Sequence, residues 1–289
     1  MSNQSINSAN HQEKELKCFA MQIRKSILHS FSKTHTGHIG GSMSIAEVLA
    51  VLYGSVMRID PKNPQWQLRD RFVLSKGHNG PALYATLAEK GYFSRDVLPT
   101  LNEDNTTLPS HCDMNRVAGV DMTTGSLGQG MSTALGLAWG LRYQKIDANV
   151  YLILGDGECD EGQVWEGALF ASTKKLSNVI AFIDRNQKQL DGYTKDICDV
   201  GDLREKFENF GWFSQEVDGH DVKAIQEAIE LAQKEKEKPS MIVLHTVKGK
   251  GCVFAEDVFY NHNMTFTDEE IQEATDYLDQ QILEIREGR

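Results

Sequence analysis

The sequence predicts an α/β protein built on a mainly parallel sheet with helices on both faces. Two observations carry this. Apolar runs at 149–154, 179–184 and 241–246 have the length of buried strands rather than of helices. Segments that read as helices separate them, at 163–174, 203–210 and 222–236. Strands and helices alternating in this way imply right-handed crossovers, which lay strands parallel and cover the sheet on both sides.

The elements follow in order. Residues 1–12 are polar and predict a loose tail, and Leu16, Phe19, Ala20, Ile23, Ile27 and Leu28 then recur at helical spacing over 13–31. A His- and Gly-rich break at 34–42 precedes a helix over 44–57. Phe72-Val73-Leu74-Ser75 reads as a buried strand running into Lys76-Gly77-His78, with a helix over 81–90. Residues 96–119 show no period and predict a long loop, the kind that in compact domains is functional or disordered. Gly125-Ser126-Leu127-Gly128-Gln129-Gly130 opens a helix over 131–143 whose small residues suit close packing. The 149–154 strand ends in Gly155-Asp156-Gly157, and a strand at 213–217 and a terminal helix at 268–287 complete the set. With no repeat and no composition break, 13–289 reads as one domain.

A chain of 289 residues buries roughly three quarters of its unfolded surface, enough for a large core. Its 40% hydrophobic and 25% charged residues are those of a soluble globular protein. The formal charge of −11 argues against a nucleic-acid partner, because phosphate backbones recruit basic surface. The five cysteines are scattered with no CxxC pair, which suggests reduced thiols rather than a zinc site or disulfides. No apolar leader core is visible, and no apolar run approaches the ~20 residues that span a bilayer. The expectation is a cytoplasmic protein with no membrane contact.

Ligands of open α/β sheets bind beyond the carboxyl ends of strands. Gly155-Asp156-Gly157 occupies such an end, where glycines let backbone approach an anion and Asp156 offers a hard oxygen. Asn186, past the next strand, offers an amide oxygen. Mg²⁺ takes six oxygens, few from protein and several from phosphates, so this pair with a diphosphate suits it; Ca²⁺ or Mn²⁺ would accept the same donors. Taken alone, Gly-Asp-Gly is more often a tight turn. Its spacing to Asn186, about thirty residues, resembles the thiamine-diphosphate signature.

Four segments carry a wider resemblance. The run Gly155 to Glu166, the Gly37-His38 element before Gly40-Gly41, Phe72 to His78, and Thr123 to Gly130 are similar, in order, to motifs of the transketolase family. The similarity extends from about Glu13 past His262. It implies the thiamine-diphosphate-binding fold, specifically the diphosphate domain, with thiamine diphosphate and Mg²⁺ as cofactors. It further implies Asp156, Asn186 and the backbone carbonyl of Lys188 as metal ligands and Gly155 and Gly157 against the diphosphate. Gly125 and Leu127 would contact the aminopyrimidine, while Lys248 and His262 would meet the cofactor.

His38, His78 and His111 match positions that converge on the thiazolium and the substrate hydroxyls, His78 touching the cofactor as well. Imidazoles there can donate to an oxyanion or shuttle a proton near neutral pH. His111 departs from the family's Gly-His-Pro context, and His262 is followed by Asn263 where the family has Gly, which leaves the path of that loop open. His35 has no family counterpart, and His11, His29 and His245 read as ordinary polar residues. Glu161 matches a glutamate of a carboxylate relay between paired active sites. Its bland reading is a helix N-terminal acid, worth ~0.3–1 kcal/mol against the helix dipole.

In full-length members a second domain binds the pyrimidine and carries the glutamate that activates the cofactor; no counterpart is visible here. The resemblance therefore implies a separate C-terminal subunit, in a heterotetramer of two chains of each kind, acting on sugar phosphates. Pentose phosphates are the default substrates, with a sulfonated or branched sugar also open. Competing readings are a 2-oxo-acid dehydrogenase alpha chain, a deoxyxylulose-phosphate synthase, a non-catalytic cofactor-binding subunit and, most weakly, a nicotinamide-binding protein, for which the GxGxxG is missing.

Overall fold

The computed structural model describes residues 3–256 and 258–288. In chain order the elements are α1 (Asn3–Ser30), β1 (Thr36–Gly37), α2 (Gly40–Met43), α3 (Ala46–Val51), β2 (Arg71–Leu74), α4 (Gly80–Glu89), α5 (Gln129–Tyr143), β3 (Val150–Gly155), α6 (Gly162–Thr173), β4 (Val179–Arg185), α7 (Thr194–Ile197), α8 (Leu203–Asn209), β5 (Phe213–Asp218), α9 (Val222–Lys234), β6 (Ser240–His245), β7 (Met264–Thr265) and α10 (Asp268–Glu287).

Five strands form one sheet in the order β2-β3-β4-β6-β5, every neighbouring pair parallel. Side-chain alternation along each strand feeds two cores. Tyr151 and Ile153 of β3 belong to the core shared with α1, α3, α4, α9 and α10. Val150, Leu152 and Leu154 belong to the one shared with α5, α6 and α8. A strand buried on both faces must be apolar at every position, which is why β3 reads as an unbroken apolar run. The predicted two-sided parallel architecture is the one observed.

Several boundaries differ from expectation. The tail predicted for 1–12 is helical from Asn3, because adding turns to an already nucleated helix costs little; Met1 and Ser2 lie outside the described residues. The single helix predicted over 44–57 is split. Ile45 leaves helical geometry between α2 and α3, and a π-turn at Leu52–Val56 containing Gly54 closes the segment. The 96–119 loop begins with a 3₁₀ turn at Arg95–Thr100 and is otherwise irregular. The antiparallel β1–β7 ladder, two residues long, is too short to leave a sequence pattern. Among the described residues no helix is long and apolar enough to cross a membrane.

Candidate active site

Parallel register brings the first half of the site together. Gly155 of β3 pairs with Asp184 of β4, so Asp156 and Asn186 both emerge just past the tips of adjacent strands. Asp156 is 3% exposed. It accepts from the backbone N–H of Gly157 at 2.9 Å and of Gln187 at 2.5 Å. Asn186 donates through Nδ2 to Asp184 at 2.8 Å, which turns its Oδ1 the other way, toward the N–H of Lys188 at 3.2 Å. Gly157 packs so tightly that an added Cβ would lie 2.8 Å from Cβ of Gln189. A cavity of about 200 Å³ opens over these groups, lined by His78, Leu127, Gly155, Asp156, Gly157, Asn186, Lys188, Lys248 and His262 among others.

The electrostatics of this corner fit a hard cation. Burial, and then the neighbouring Asp184, push the Asp156 carboxyl up to about 7. The buried Lys76 ammonium pairs with Asp184 instead, at 2.5 Å. Asp156 is thus a buried carboxylate that the chain leaves without a close cation of its own. No group of three or more His, Cys, Asp or Glu able to hold a metal occurs among the described residues. The donor set is therefore a carboxylate, an amide oxygen and backbone carbonyl, which suits an ion that brings phosphate and water oxygens with it. The Lys188 carbonyl accepts from Lys248 Nζ at 3.0 Å, so a metal there would share or displace that ammonium.

The second half is a cluster of four imidazoles. Ring centroids of His38 lie 5.3 Å from His78, 5.8 Å from His111 and 5.3 Å from His262. His78 and His262 are 4.9 Å apart, and His78 and His111 6.5 Å. The β1–β7 ladder aligns Gly37 with Met264 and so carries His38 and His262 to the same place. Burial, then Lys76, holds His78 far below the usual imidazole range; burial, then Lys248, lowers His262 to about 3. His38 is lowered by burial, His111 and Lys248, and His111 by burial. Neutral rings of this kind offer one N–H donor and one acceptor each. Gly125 lies against this cluster, where an added Cβ would meet His111 Cδ2 at 3.2 Å. Lys248 Nζ stands 3.1 Å from His262 Nδ1 and joins the two halves.

Glu161 is not brought into the cavity. It is exposed, at the N-cap of α6, and makes no side-chain capping bond. His35 takes a left-handed backbone (φ 51°) and pairs with Asp268 at 2.8 Å, and His245 faces Glu216 at 3.1 Å. Two groups escaped the sequence reading. Glu158, 3% exposed, accepts from Ser75 Oγ, from Gly128 N–H at 2.8 Å and from Gly155 N–H at 3.0 Å, tying three site segments together. Asp184 is the hub for Lys76, Ser44, Thr246 and Asn186. A charged residue closing the apolar run Val179-Ile180-Ala181-Phe182-Ile183 was the available signal.

Residues 16–285 match the family described as transketolase, thiamine diphosphate binding domain. The chain belongs to the transketolase family. It is 52% identical, over 89% of its length and 94% of the relative's, to the 6-deoxy-6-sulfo-D-fructose transketolase subunit SqwG of Clostridium sp. (strain MSTE9). It is 37% identical, over 90% and 92%, to an apulose-4-phosphate transketolase subunit of Phocaeicola vulgatus. Among solved structures, the transketolase from Leishmania mexicana superposes with a TM-score of 0.83 at 28% identity, over 94% of this chain. The chain spans 45% of that longer transketolase and corresponds to its thiamine-diphosphate-binding part.

Proposed function

We propose that this chain is the N-terminal, diphosphate-binding subunit of a transketolase that moves a two-carbon ketol unit from a ketose donor to an aldose acceptor. The observation that carries the reading is the buried Asp156 carboxylate, left without a close cation beside Asn186 and next to four neutral imidazoles. Thiamine diphosphate supplies the carbon nucleophile and electron sink that such a transfer needs. Asp156, Asn186 and the Lys188 carbonyl would hold Mg²⁺, with Ca²⁺ or Mn²⁺ as substitutes. Lys248 and His262 would meet the diphosphate, Gly155 and Gly157 would let backbone approach it, and Leu127 and Gly125 would face the pyrimidine. His38, His78 and His111, neutral at physiological pH, would donate N–H to the carbonyl oxygen as it gains charge and accept from substrate hydroxyls.

The reading includes a C-terminal partner chain carrying the pyrimidine-binding domain, in a heterotetramer. Its support is that two relatives spanned almost end to end by this chain are named as subunits. Residues 13–289 act as one domain in it, and five free cysteines agree with a cytoplasmic setting. Neither nucleic acid nor membrane has a part. The donor we favour is 6-deoxy-6-sulfo-D-fructose, for which the 52% identical relative is named, ahead of a sugar phosphate.

Reconstitution tests this. The chain with its partner, thiamine diphosphate and Mg²⁺ is expected to transfer ketol units, faster from 6-deoxy-6-sulfo-D-fructose than from fructose 6-phosphate or xylulose 5-phosphate, and the chain alone to be inactive. Full activity without the partner overturns the split reading. Absence of calorimetric cofactor binding by the pair overturns the function. In the same assay His78→Ala is expected to lower kcat by about 10²-fold.

A further inference from the structure

The Val247–Lys248 peptide is gripped from both ends by side chains that do not line the cavity. Val247 N–H donates to His220 Nε2 at 2.8 Å. Because Nε2 accepts, the ring proton sits on Nδ1, which faces Glu47 Oε2 at 3.1 Å. Glu47 is itself fixed by two bonds of 2.7 Å from Arg24. This chain of contacts runs from α1 through α3 to the turn before α9, and none of its three side chains lines the cavity. At the other end, Asn261 Nδ2 donates to the Lys248 carbonyl at 2.9 Å and to the Ala255 carbonyl at 2.8 Å. Asn261 is fully buried, and its own carbonyl accepts from Gly40 N–H at 3.1 Å. The fit there is close: a Cβ on Gly40 would come within 2.2 Å of that carbonyl oxygen.

We propose that His220 and Asn261 are a pair of positioning residues that clamp the Val247–Lys248 peptide, so that the Lys248 ammonium is delivered between the Lys188 carbonyl and His262. Lysine is a point charge on a flexible four-carbon stem, and its direction is set by its backbone and the walls around it. Lys248 is 4% exposed, with Nζ 3.0 Å from the Lys188 carbonyl and 3.1 Å from His262 Nδ1. Asn261 has a second effect because His262 is the next residue. Anchoring Asn261 on three segments fixes where the imidazole emerges, which answers how the loop keeps its path with Asn263 in place of the family's glycine. Neither side chain touches the four-ring cluster, so both act through Lys248 and His262.

The clamp deepens the proposed function, since it rests on Lys248 meeting the diphosphate, and its test separates the two. Calorimetry with thiamine diphosphate and Mg²⁺ on the reconstituted pair is expected to show about tenfold weaker binding for His220→Phe and for Asn261→Leu. His220→Gln, which keeps an acceptor and a donor, should recover most of the loss. In a Lys248→Met background His220→Phe should not weaken binding further, whereas Asn261→Leu should keep only the part of its loss that runs through His262. An additive loss for His220→Phe there, or unchanged affinity in both single variants, would overturn the clamp. ¹⁵N-histidine NMR on the free chain gives a readout that needs no cofactor. The His262 ring resonances should move in Asn261→Leu and in His220→Phe, with His245 unmoved as a control. Should the wild-type pair bind no cofactor, the function falls while the His262 resonances still decide the clamp, an unmoved ring counting against it. If Asn261→Leu does not fold, Asn261→Asp, equal in size but unable to donate, takes its place in every arm.

Discussion

The corner around Asp156 and the hub around Asp184 occupy the tips of adjacent strands, yet the chain treats their carboxylates in opposite ways. Asp184 is fully buried, and burial alone would raise it. The Lys76 ammonium, with bonds from Lys76, Thr246 and Ser44, outweighs that and leaves it lowered. Asp156 receives only two backbone N–H bonds, and burial with Asp184 beside it wins. One carboxylate has its cation built in, and the other has no ion-pair partner among the described residues. A buried charge already saturated by its own protein is framework, and an unsaturated one in a cavity is a candidate binding group.

Removing the framework charge should have the largest effect. Asp184→Asn strands the Lys76 ammonium in the interior and loosens the amide of Asn186, which now donates to Asp184. Breaking one partner of a buried pair costs about 3–5 kcal/mol. Urea melts of the free chain should show that loss; a variant within about 1 kcal/mol of wild type would make the hub dispensable and dissolve the contrast.

Asp156→Asn should act with the opposite sign. The folded carboxyl titrates near 7 against an ordinary 3.8. Between those values the folded chain keeps a proton that the unfolded chain has lost, so stability falls as pH rises through the window and stays low above it. The amide escapes this cost. Without cofactor, the variant should be more stable than wild type at pH 8 by ~1 kcal/mol or more, and the gap should close below pH 3.8. Binding of thiamine diphosphate with Mg²⁺ should drop by at least about 10²-fold, the size of loss expected on removing a metal ligand rather than a group around it. A variant less stable than wild type at pH 8 would show that Asp156 is framework after all.

The same contrast explains what the sequence could disclose. Asp156 and Asn186 were legible because parallel register turns a spacing along the chain into a distance across it: Gly155 opposite Asp184 fixes both tips. His38, His78, His111 and His262 come from four separate segments joined by irregular chain and a two-residue ladder, so local pattern could nominate each only through family likeness. His220 and Asn261 left no local mark, since the groups they hold, the Glu47 carboxylate and the backbone of Val247, Lys248 and Ala255, form no sequence pattern with them. Glu158 was passed over for Glu161 because only folding shows which of two nearby acids turns inward. The continuous helix expected at 44–57 failed where apolar spacing persists through a kink, as it does across Ile45 and Gly54.

Glu161 gives the smallest expected effect and the sharpest use of the comparison, because it is neither saturated nor buried. In the free chain it caps nothing, although it begins α6, and its Cβ would lie only 2.9 Å from one added to Gly128, where the backbone turns at φ 81°. An exposed side chain with no partner of that kind changes stability by less than about 0.5 kcal/mol when replaced. Glu161→Gln should therefore melt with wild type when measured alone. It begins α6, which further along exposes Leu169 and Phe170, as the later turns of α5 expose Trp139 and Tyr143. If a relay between paired active sites runs through this carboxylate, its loss should appear only on assembly, as a lower kcat of the reconstituted pair with unchanged cofactor affinity. Equal rates for Glu161→Gln and wild type in the assembled enzyme would return the residue to its bland role as an acid at a helix start.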